Sequence, residues 1–266
     1  MFRRVGDSIW RATGRNPGKK VVVLGGVHGN EATGIHVIRK LLNHSVDQGS
    51  VTLAIGNPRA CEINQRGSSP HADLNRCFTV NDGDIAATSP YEAERASILK
   101  PYLRDCDVLL DIHSTNKPSE PFVRVGGNMR PEHERIARWL PGNKLVWDPN
   151  YLLAGEIALS DEYVGFYGGI GICYESGQAQ DISMVDEIYF SVLNILSEET
   201  NTIKHCGSSG QVQRTKDPLE MFEIISAFTL TSKGYSWEED RGLKNFSHVP
   251  AGEIVGTVYY SNTVMW

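Results

Sequence analysis

Short apolar runs alternate with segments of helical spacing along most of the chain. The run at 21–24 is β-branched or aliphatic throughout and ends at a glycine pair, which is typical of a buried strand followed by a tight turn. Past this turn Asn30 is a candidate helix N-cap, because apolar residues then recur at helical spacing. Similar patterns predict strands at 51–55, 108–112 and 169–174, helices at 90–103 and 131–140, and a long amphipathic segment at 183–198.

Strands that alternate with helices predict an α/β fold with a mostly parallel or mixed central sheet flanked by helices. The pattern changes after the Gly-Ser-Ser-Gly segment at 207–210, where threonine, valine, tyrosine and glycine become frequent and apolar runs become short. We therefore predict a first domain at 1–206 and a small β-rich C-terminal domain at 207–266. In open α/β sheets ligands bind outside the carboxyl ends of the strands, so functional residues are expected there.

Composition narrows the class of ligand. Hydrophobic residues make up 40% of the 266 residues and charged residues 22%, which is ordinary for a packed protein. The chain has 26 Lys and Arg against 32 Asp and Glu, a formal net charge of −6, and this acidic balance argues against non-specific nucleic-acid binding. An anionic small molecule is still an acceptable ligand, because a few arginines can make one pocket positive.

The expected cellular location follows from the lack of a membrane-spanning segment and a signal peptide, and from the pattern of cysteines. No apolar run reaches the roughly 20 residues that a membrane span needs, and residues 1–7 lack the continuous apolar stretch of a signal peptide. An odd set of cysteines without a CxxC pair indicates free thiols in a reducing compartment: Cys61, Cys77, Cys106, Cys173 and Cys206. We expect a cytoplasmic protein that binds neither membranes nor nucleic acid, as a monomer or a homo-oligomer.

Polar side chains follow two of the predicted strands at the points where those strands end. His28 and Glu31 are three positions apart across a strand-to-helix turn, so both can converge on one point. His113 comes at the end of the strand at 108–112. Two imidazoles and a carboxylate form the ligand set of a catalytic zinc site, which leaves one position open for water. Asp111 has the short reach needed to orient a ligand histidine from behind.

A third polar cluster, at 173–177, follows the apolar strand at 169–174. Metal-assisted hydrolysis needs a base that deprotonates the attacking water and later protonates the leaving amine. A carboxylate close to the metal, but not bound to it, can do this. Glu175 is the best-placed candidate.

The segment between the second strand and the helix at 90–103 contains arginines in a loop rich in Gly, Ser and Pro, where binding groups concentrate. Asn75 and Arg76 are adjacent donors that can hold a substrate carboxylate, the arginine as a bidentate fork. Arg66 is placed to stabilise the oxyanion that develops on a tetrahedral intermediate.

Five short motifs in this order resemble the succinylglutamate desuccinylase/aspartoacylase family, which is related to the zinc carboxypeptidases. They are HGNE at 28–31, NPRA at 57–60, DLNR at 73–76, DIHST at 111–115 and ESG at 175–177. The resemblance implies a zinc carboxypeptidase-like catalytic domain followed by a small C-terminal β-domain. It also implies a zinc-dependent amidohydrolase that splits a small N-acyl amino acid into a carboxylic acid and a free amino acid.

Carried over position by position, the resemblance assigns roles that agree with the residue patterns, with one zinc ion per chain. The zinc ligands would be His28, Glu31 and His113. Glu175 would be the general base and then the general acid. Arg66 would polarise the scissile carbonyl, and Asn75 and Arg76 would hold the α-carboxylate.

The chain departs from the family pattern at two places. Aspartoacylases use a further arginine about ten residues before the catalytic glutamate to recognise the aspartate side chain, and here residues 139–174 contain no arginine. Such enzymes also take a tyrosine from the C-terminal domain, for which Tyr235, Tyr259 and Tyr260 are equal candidates.

Two alternatives stay open at this stage. A zinc carboxypeptidase acting on a short peptide would use the same chemistry, because Asn75 and Arg76 would hold a C-terminal carboxylate equally well. A non-catalytic binding protein with the same fold would be expected to have lost a ligand or the base, and all of these are present.

Overall fold

The apolar runs form the central strands of a nine-stranded sheet. A computed structural model describes residues 1–80, 89–204, 214–215, 217–227, 235–238 and 245–258. Numbered along the chain and given in their order across the sheet, the strands are β1 (Arg3–Gly6), β2 (Ile9–Thr13), β4 (Gln48–Ile55), β3 (Asn16–Gly25), β5 (Val108–Thr115), β8 (Ile170–Gln178), β6 (Phe122–Gly126), β7 (Lys144–Asp148) and β9 (Glu220–Glu223).

Most neighbouring strands run parallel. β4, β3, β5 and β8 form one parallel block, and β6, β7 and β9 form a second that meets β8 antiparallel. β1 and β2 form an antiparallel edge next to β4. The mostly parallel or mixed sheet predicted from the sequence is confirmed.

Helices cover both faces of this sheet. They are α1 (Ala32–Leu41), α2 (Pro58–Glu62), α3 (Pro90–Arg104), α4 (Pro131–Ala137), α5 (Ser160–Phe166) and α6 (Val185–Asn194), with a 3₁₀ turn at Leu74–Arg76 and a π-helical turn at Ile195–Glu199. Val21 and Val23 pack on one face, in the core that includes α1, α4 and α6. Val22 and Leu24 pack on the other, against α3 and α5. Burial on both faces explains why this strand is continuously apolar.

Several boundaries differ from those predicted. Asn30 does not cap α1: the N-cap is Glu31, and its side chain makes no capping hydrogen bond. The carboxylate of Glu31 is turned instead toward His28 and His113, so contacts with these two side chains replace the usual cap. The amphipathic segment at 183–198 contains both α6 and the π-helical turn, and β8 continues past the predicted strand end.

The C-terminal segment contributes to two sheets. β9 pairs with β7 at the edge of the large sheet, whereas β10 (Tyr235–Trp237) and β11 (Gly256–Val258) pair with each other in a separate two-stranded sheet. The domain boundary at 207 stays a prediction. Tyr235 begins β10, and Tyr259, Tyr260 and Cys206 lie outside the described residues. Among the described helices, none is long and apolar enough to cross a membrane.

Candidate metal centre

The predicted site residues come together at the carboxyl ends of β3, β5 and β8. His28 lies in the turn after β3, and Glu31 is the N-cap residue immediately before α1. His113 lies near the end of β5 and is paired in register with Glu175 on β8. The strand-end positions read from the sequence therefore meet at one edge of the sheet.

The carboxylate of Glu31 lies between two imidazoles. Its Oε1 is 2.7 Å from Nδ1 of His28, and its Oε2 is 3.1 Å from Nδ1 of His113. The backbone N–H of Ser114 donates to the same Oε2 at 3.0 Å. The three side chains are buried and can each offer a ligand atom, with all three atoms within 4.8 Å of one another. This convergence fits a tetrahedral ion with one open position.

Two further carboxylates contact the ring nitrogens of His28 and His113 that do not face Glu31. Nε2 of His28 lies 3.0 Å from Oδ1 of Asp73. Nε2 of His113 lies 3.0 Å from Oδ2 of Asp111, which is ion-pair distance, although the angles do not meet those of a hydrogen bond. Such outer carboxylates fix which ring nitrogen faces the metal. The role expected for Asp111 agrees with its position, whereas that of Asp73 was not anticipated from the sequence.

The buried charges of the centre compensate one another. Burial acts to raise the pKa of Glu31, but the neighbouring His113 and His28 lower it to about 2. Conversely, burial acts to lower the pKa of His113, but the charges of Asp111 and Glu31 bring it well above its ordinary value. Glu31 is therefore ionised at neutral pH, as a metal ligand must be.

Glu175 has the environment of a group that can accept a proton and return it. The residue is partly exposed, yet its Oε2 is buried and has no hydrogen-bond partner among the described residues. Burial raises its pKa, and the charge of Glu31 acts in the same direction, against the opposing effect of His113. An unpartnered buried carboxylate oxygen beside a candidate metal centre supports the assignment of a base there.

Arg66, predicted to act on the scissile carbonyl, lies beside the candidate metal centre. Its Nε and Nη2 donate to Oδ2 of Asp73 at 3.2 and 3.0 Å, and its Nη1 is 3.9 Å from Oε1 of Glu31. Asn75 is buried, and its Oδ1 accepts the N–H of Ser160 at 3.0 Å. Arg76 is exposed and donates to the carbonyl oxygen of Asn75 at 2.8 Å.

The loop that carries Arg66 is anchored by Glu92, a residue without a distinguishing sequence signal. Glu92 lies in the first turn of α3, where an acidic residue is ordinary. It is 1% exposed, and its Oε1 accepts the side-chain N–H of Asn57 at 3.0 Å and the backbone N–H of Ser68 at 2.8 Å. One buried oxygen thus holds both the NPRA motif and the arginine loop.

A second buried cluster lies at the start of α5, in the segment that contains no arginine. Arg124 on β6 donates to Oε1 of Glu162 at 2.9 Å and to Oδ1 of Asp161. All three side chains are buried. The guanidinium is therefore already paired with two carboxylates, and this segment supplies no uncompensated cation to the site.

The fold and the site define an α/β protein with a candidate His-Glu-His metal centre at the carboxyl ends of its parallel strands. Residues 17–193 match the family described as succinylglutamate desuccinylase/aspartoacylase catalytic domain. The chain belongs to this family, as the five motifs predict.

Named relatives match the chain over shorter segments. A probable aspartoacylase of Acaryochloris marina is 36% identical over 105 residues, which cover 36% of this chain and 35% of the relative. An N-acyl-aromatic-L-amino acid amidohydrolase (carboxylate-forming) of Danio rerio is 33% identical over 109 residues, or 36% of this chain and 33% of the relative. The matched region thus spans about a third of the length of these relatives.

Solved structures share the fold over nearly the whole chain. A succinylglutamate desuccinylase from Vibrio parahaemolyticus superposes with a TM-score of 0.71 and 16% identity, covering 94% of this chain and 75% of that one. A product-bound ectoine utilization protein from Ruegeria pomeroyi gives a TM-score of 0.62 at 15% identity, covering 97% and 78%. The predicted α/β class, with a mostly parallel or mixed central sheet flanked by helices, agrees with these neighbours at the level of the fold.

Proposed function

We propose that the protein is a zinc-dependent amidohydrolase that cleaves the amide bond of a small N-acyl amino acid. The observation that carries the proposal is the convergence of His28, Glu31 and His113 beside the unpartnered Oε2 of Glu175. Family membership and the names of the relatives support deacylation as the reaction class.

The donor set suits zinc, because two imidazoles and one carboxylate hold the ion and leave a position for chemistry. A zinc ion bound there supplies a Lewis acid that lowers the pKa of water and polarises a carbonyl. Glu175 then takes the proton of the attacking water at its carboxylate and later gives it to the nitrogen of the leaving amine. Burial raises the pKa of Glu175, and a raised pKa favours the uptake of a proton by a carboxylate.

The arginine loop binds and orients the substrate in this proposal. Arg66, held by Asp73 close to Glu31, faces the carbonyl on which negative charge develops. The exposed guanidinium of Arg76 and the amide of Asn75 receive the α-carboxylate of the substrate. Asp73 links the two functions, because it contacts both His28 and Arg66.

The substrate side chain is proposed to be uncharged. A carboxylate side chain needs an unpaired cation, and the buried Arg124 is instead neutralised by Asp161 and Glu162. A Danio rerio relative is named for N-acyl-aromatic amino acids, which fits this expectation. We therefore expect N-acetylaspartate to be a poorer substrate than an N-acetyl amino acid with a neutral side chain.

The test combines metal analysis with a substrate panel. Purified protein should contain one zinc per chain, lose hydrolysis when a chelator removes it, and regain hydrolysis with added zinc. The panel compares N-acetyl amino acids that have acidic, neutral and aromatic side chains with short peptides of free C-terminus. Cleavage of the peptides alone would replace the proposal with a carboxypeptidase, and zinc binding without any hydrolysis would indicate a binding protein.

A further inference from the structure

The first residue of α5 contacts two parts of the candidate site at once. Ser160 is fully buried, and its backbone N–H donates to Oδ1 of Asn75 at 3.0 Å. Its hydroxyl donates to Oδ2 of Asp111. One residue therefore holds a proposed substrate-binding side chain through its backbone and a carboxylate of the metal centre through its side chain.

The contact with Asp111 continues to the proposed metal ligands. Oδ2 of Asp111, the oxygen that accepts the Ser160 hydroxyl, is also 3.0 Å from Nε2 of His113. Nδ1 of His113 in turn faces Glu31 at 3.1 Å. A continuous series of polar contacts thus runs from Asn75 through Ser160 to the two ligands, and all its members are buried.

The start of α5 is held rigidly enough for such contacts to matter. Oε2 of Glu162 accepts the backbone N–H groups of Ala158 and Leu159, each at 3.2 Å, and so fixes the turn before the helix. Arg124 on β6 donates from its Nη1 to Oε1 of Glu162 at 2.9 Å and so holds Glu162 against this strand. Because these groups are buried and paired, a shift of Ser160 would disturb several hydrogen bonds together.

From these contacts we infer that Ser160 is a positioning residue that couples the metal centre to the substrate-binding side chain Asn75. The inference rests on the proposed function for the role of Asn75, but its metal part does not require hydrolysis. Its hydroxyl orients Asp111, which holds His113 in the direction of the metal. Its N–H orients the amide of Asn75.

The substitution Ser160→Ala separates the two contacts, because it removes the hydroxyl and keeps the backbone N–H. The zinc affinity of the metal-free protein, measured by competition with a chromogenic chelator, should fall about 10- to 100-fold. In the loaded enzyme kcat should fall more than KM rises, since the contact with Asn75 remains. Ser160→Thr, which keeps a hydroxyl, should restore most of the zinc affinity.

Ser191→Ala is the matched control. Ser191 is also fully buried, and its hydroxyl donates to the carbonyl oxygen of Glu187 at 3.0 Å within α6. Its loss removes one buried hydroxyl without touching the site, so zinc affinity should stay at the wild-type value. Equal zinc affinities in Ser160→Ala and Ser191→Ala would overturn the inference, whatever their melting temperatures.

A double-mutant cycle tests the coupling itself. Asn75→Ala should weaken zinc binding in the wild-type background. It should have a smaller effect in the Ser160→Ala background, because the hydrogen bond from residue 160 to Asp111 is already lost there. Strictly additive effects would contradict the coupling. If no N-acyl amino acid is hydrolysed and the cycle still shows non-additive zinc binding, the proposed function fails and the role of Ser160 stands.

Discussion

His113 on β5 and Glu175 on β8 are paired in register across two parallel strands. Residues paired in this way point to the same face of a sheet, so the proposed base stands beside a proposed metal ligand without depending on loop conformation. Sites built on strands hold their groups more exactly than sites built on loops. The register between β5 and β8 therefore fixes the proposed base beside the proposed metal ligand.

Replacing Glu175 with glutamine should abolish turnover while leaving the metal bound. Glutamine has nearly the same shape but cannot take a proton, so kcat should fall by about 10²- to 10⁴-fold. The measurement pairs steady-state hydrolysis with zinc content by atomic emission. Full activity in the zinc-loaded variant would show that another group is the base.

The substitution Asp73→Asn should weaken zinc binding and substrate turnover together. It leaves an amide in place of the carboxylate that contacts both His28 and Arg66. Loss of an outer carboxylate typically lowers metal affinity about 10- to 100-fold. Chelator competition and kcat/KM on one preparation measure both effects. An unchanged zinc affinity would show that Asp73 supports only Arg66.

The substitution Glu92→Ala should destabilise the protein. It leaves the buried side-chain N–H of Asn57 and the half-buried backbone N–H of Ser68 without their acceptor. The buried donor alone costs about 1–3 kcal/mol. Urea unfolding followed by circular dichroism measures the loss. The exposed Glu94 in the same helix provides the control, since Glu94→Ala should change the unfolding free energy by less than about 0.5 kcal/mol.

His133 should make the fold sensitive to mild acid. Burial lowers the pKa of His133 to about 4, and its Nδ1 accepts the backbone N–H of Arg130 at 2.9 Å. Between about pH 4 and 6.5 the unfolded chain binds a proton that the folded chain excludes, so stability falls as the pH falls through this window. The difference corresponds to about 3 kcal/mol.

His133→Asn tests this assignment, because asparagine offers an acceptor oxygen near the position of Nδ1 but does not titrate. At pH 7.5 the two proteins should have similar unfolding free energies. At pH 5 the variant should be the more stable of the two. Parallel pH profiles from denaturant titrations would show that other groups cause the acid sensitivity.

The candidate metal cluster is predictable from sequence because each of its parts is local. His28 and Glu31 are separated by one turn, and His113 and Glu175 lie at the ends of strands whose apolar character is plain. Parallel strands place such ends at a common edge, which brings distant parts of the chain together. The fold class and the metal cluster follow from these few patterns.

Contacts between remote residues of ordinary local type could not be predicted. Arg124 pairs with Asp161 and Glu162, which are 37 and 38 positions away, and an ion pair leaves no periodic signal. Glu92 is equally unremarkable in its own helix. The predicted cap at Asn30 was wrong because the tertiary contacts of Glu31 override the local preference for a small polar cap.

Helices on both faces of the sheet limit the directions from which a small molecule could reach the candidate metal centre. β3 is buried on each side, with Val21 and Val23 under one helical layer and Val22 and Leu24 under the other. β5 is buried in the same way, with Leu110 in the first core and Leu109 in the second. Neither face of these strands offers an approach. We therefore expect a substrate to approach the candidate metal centre from the carboxyl edge of the strands, where the exposed side chain of Arg66 lies.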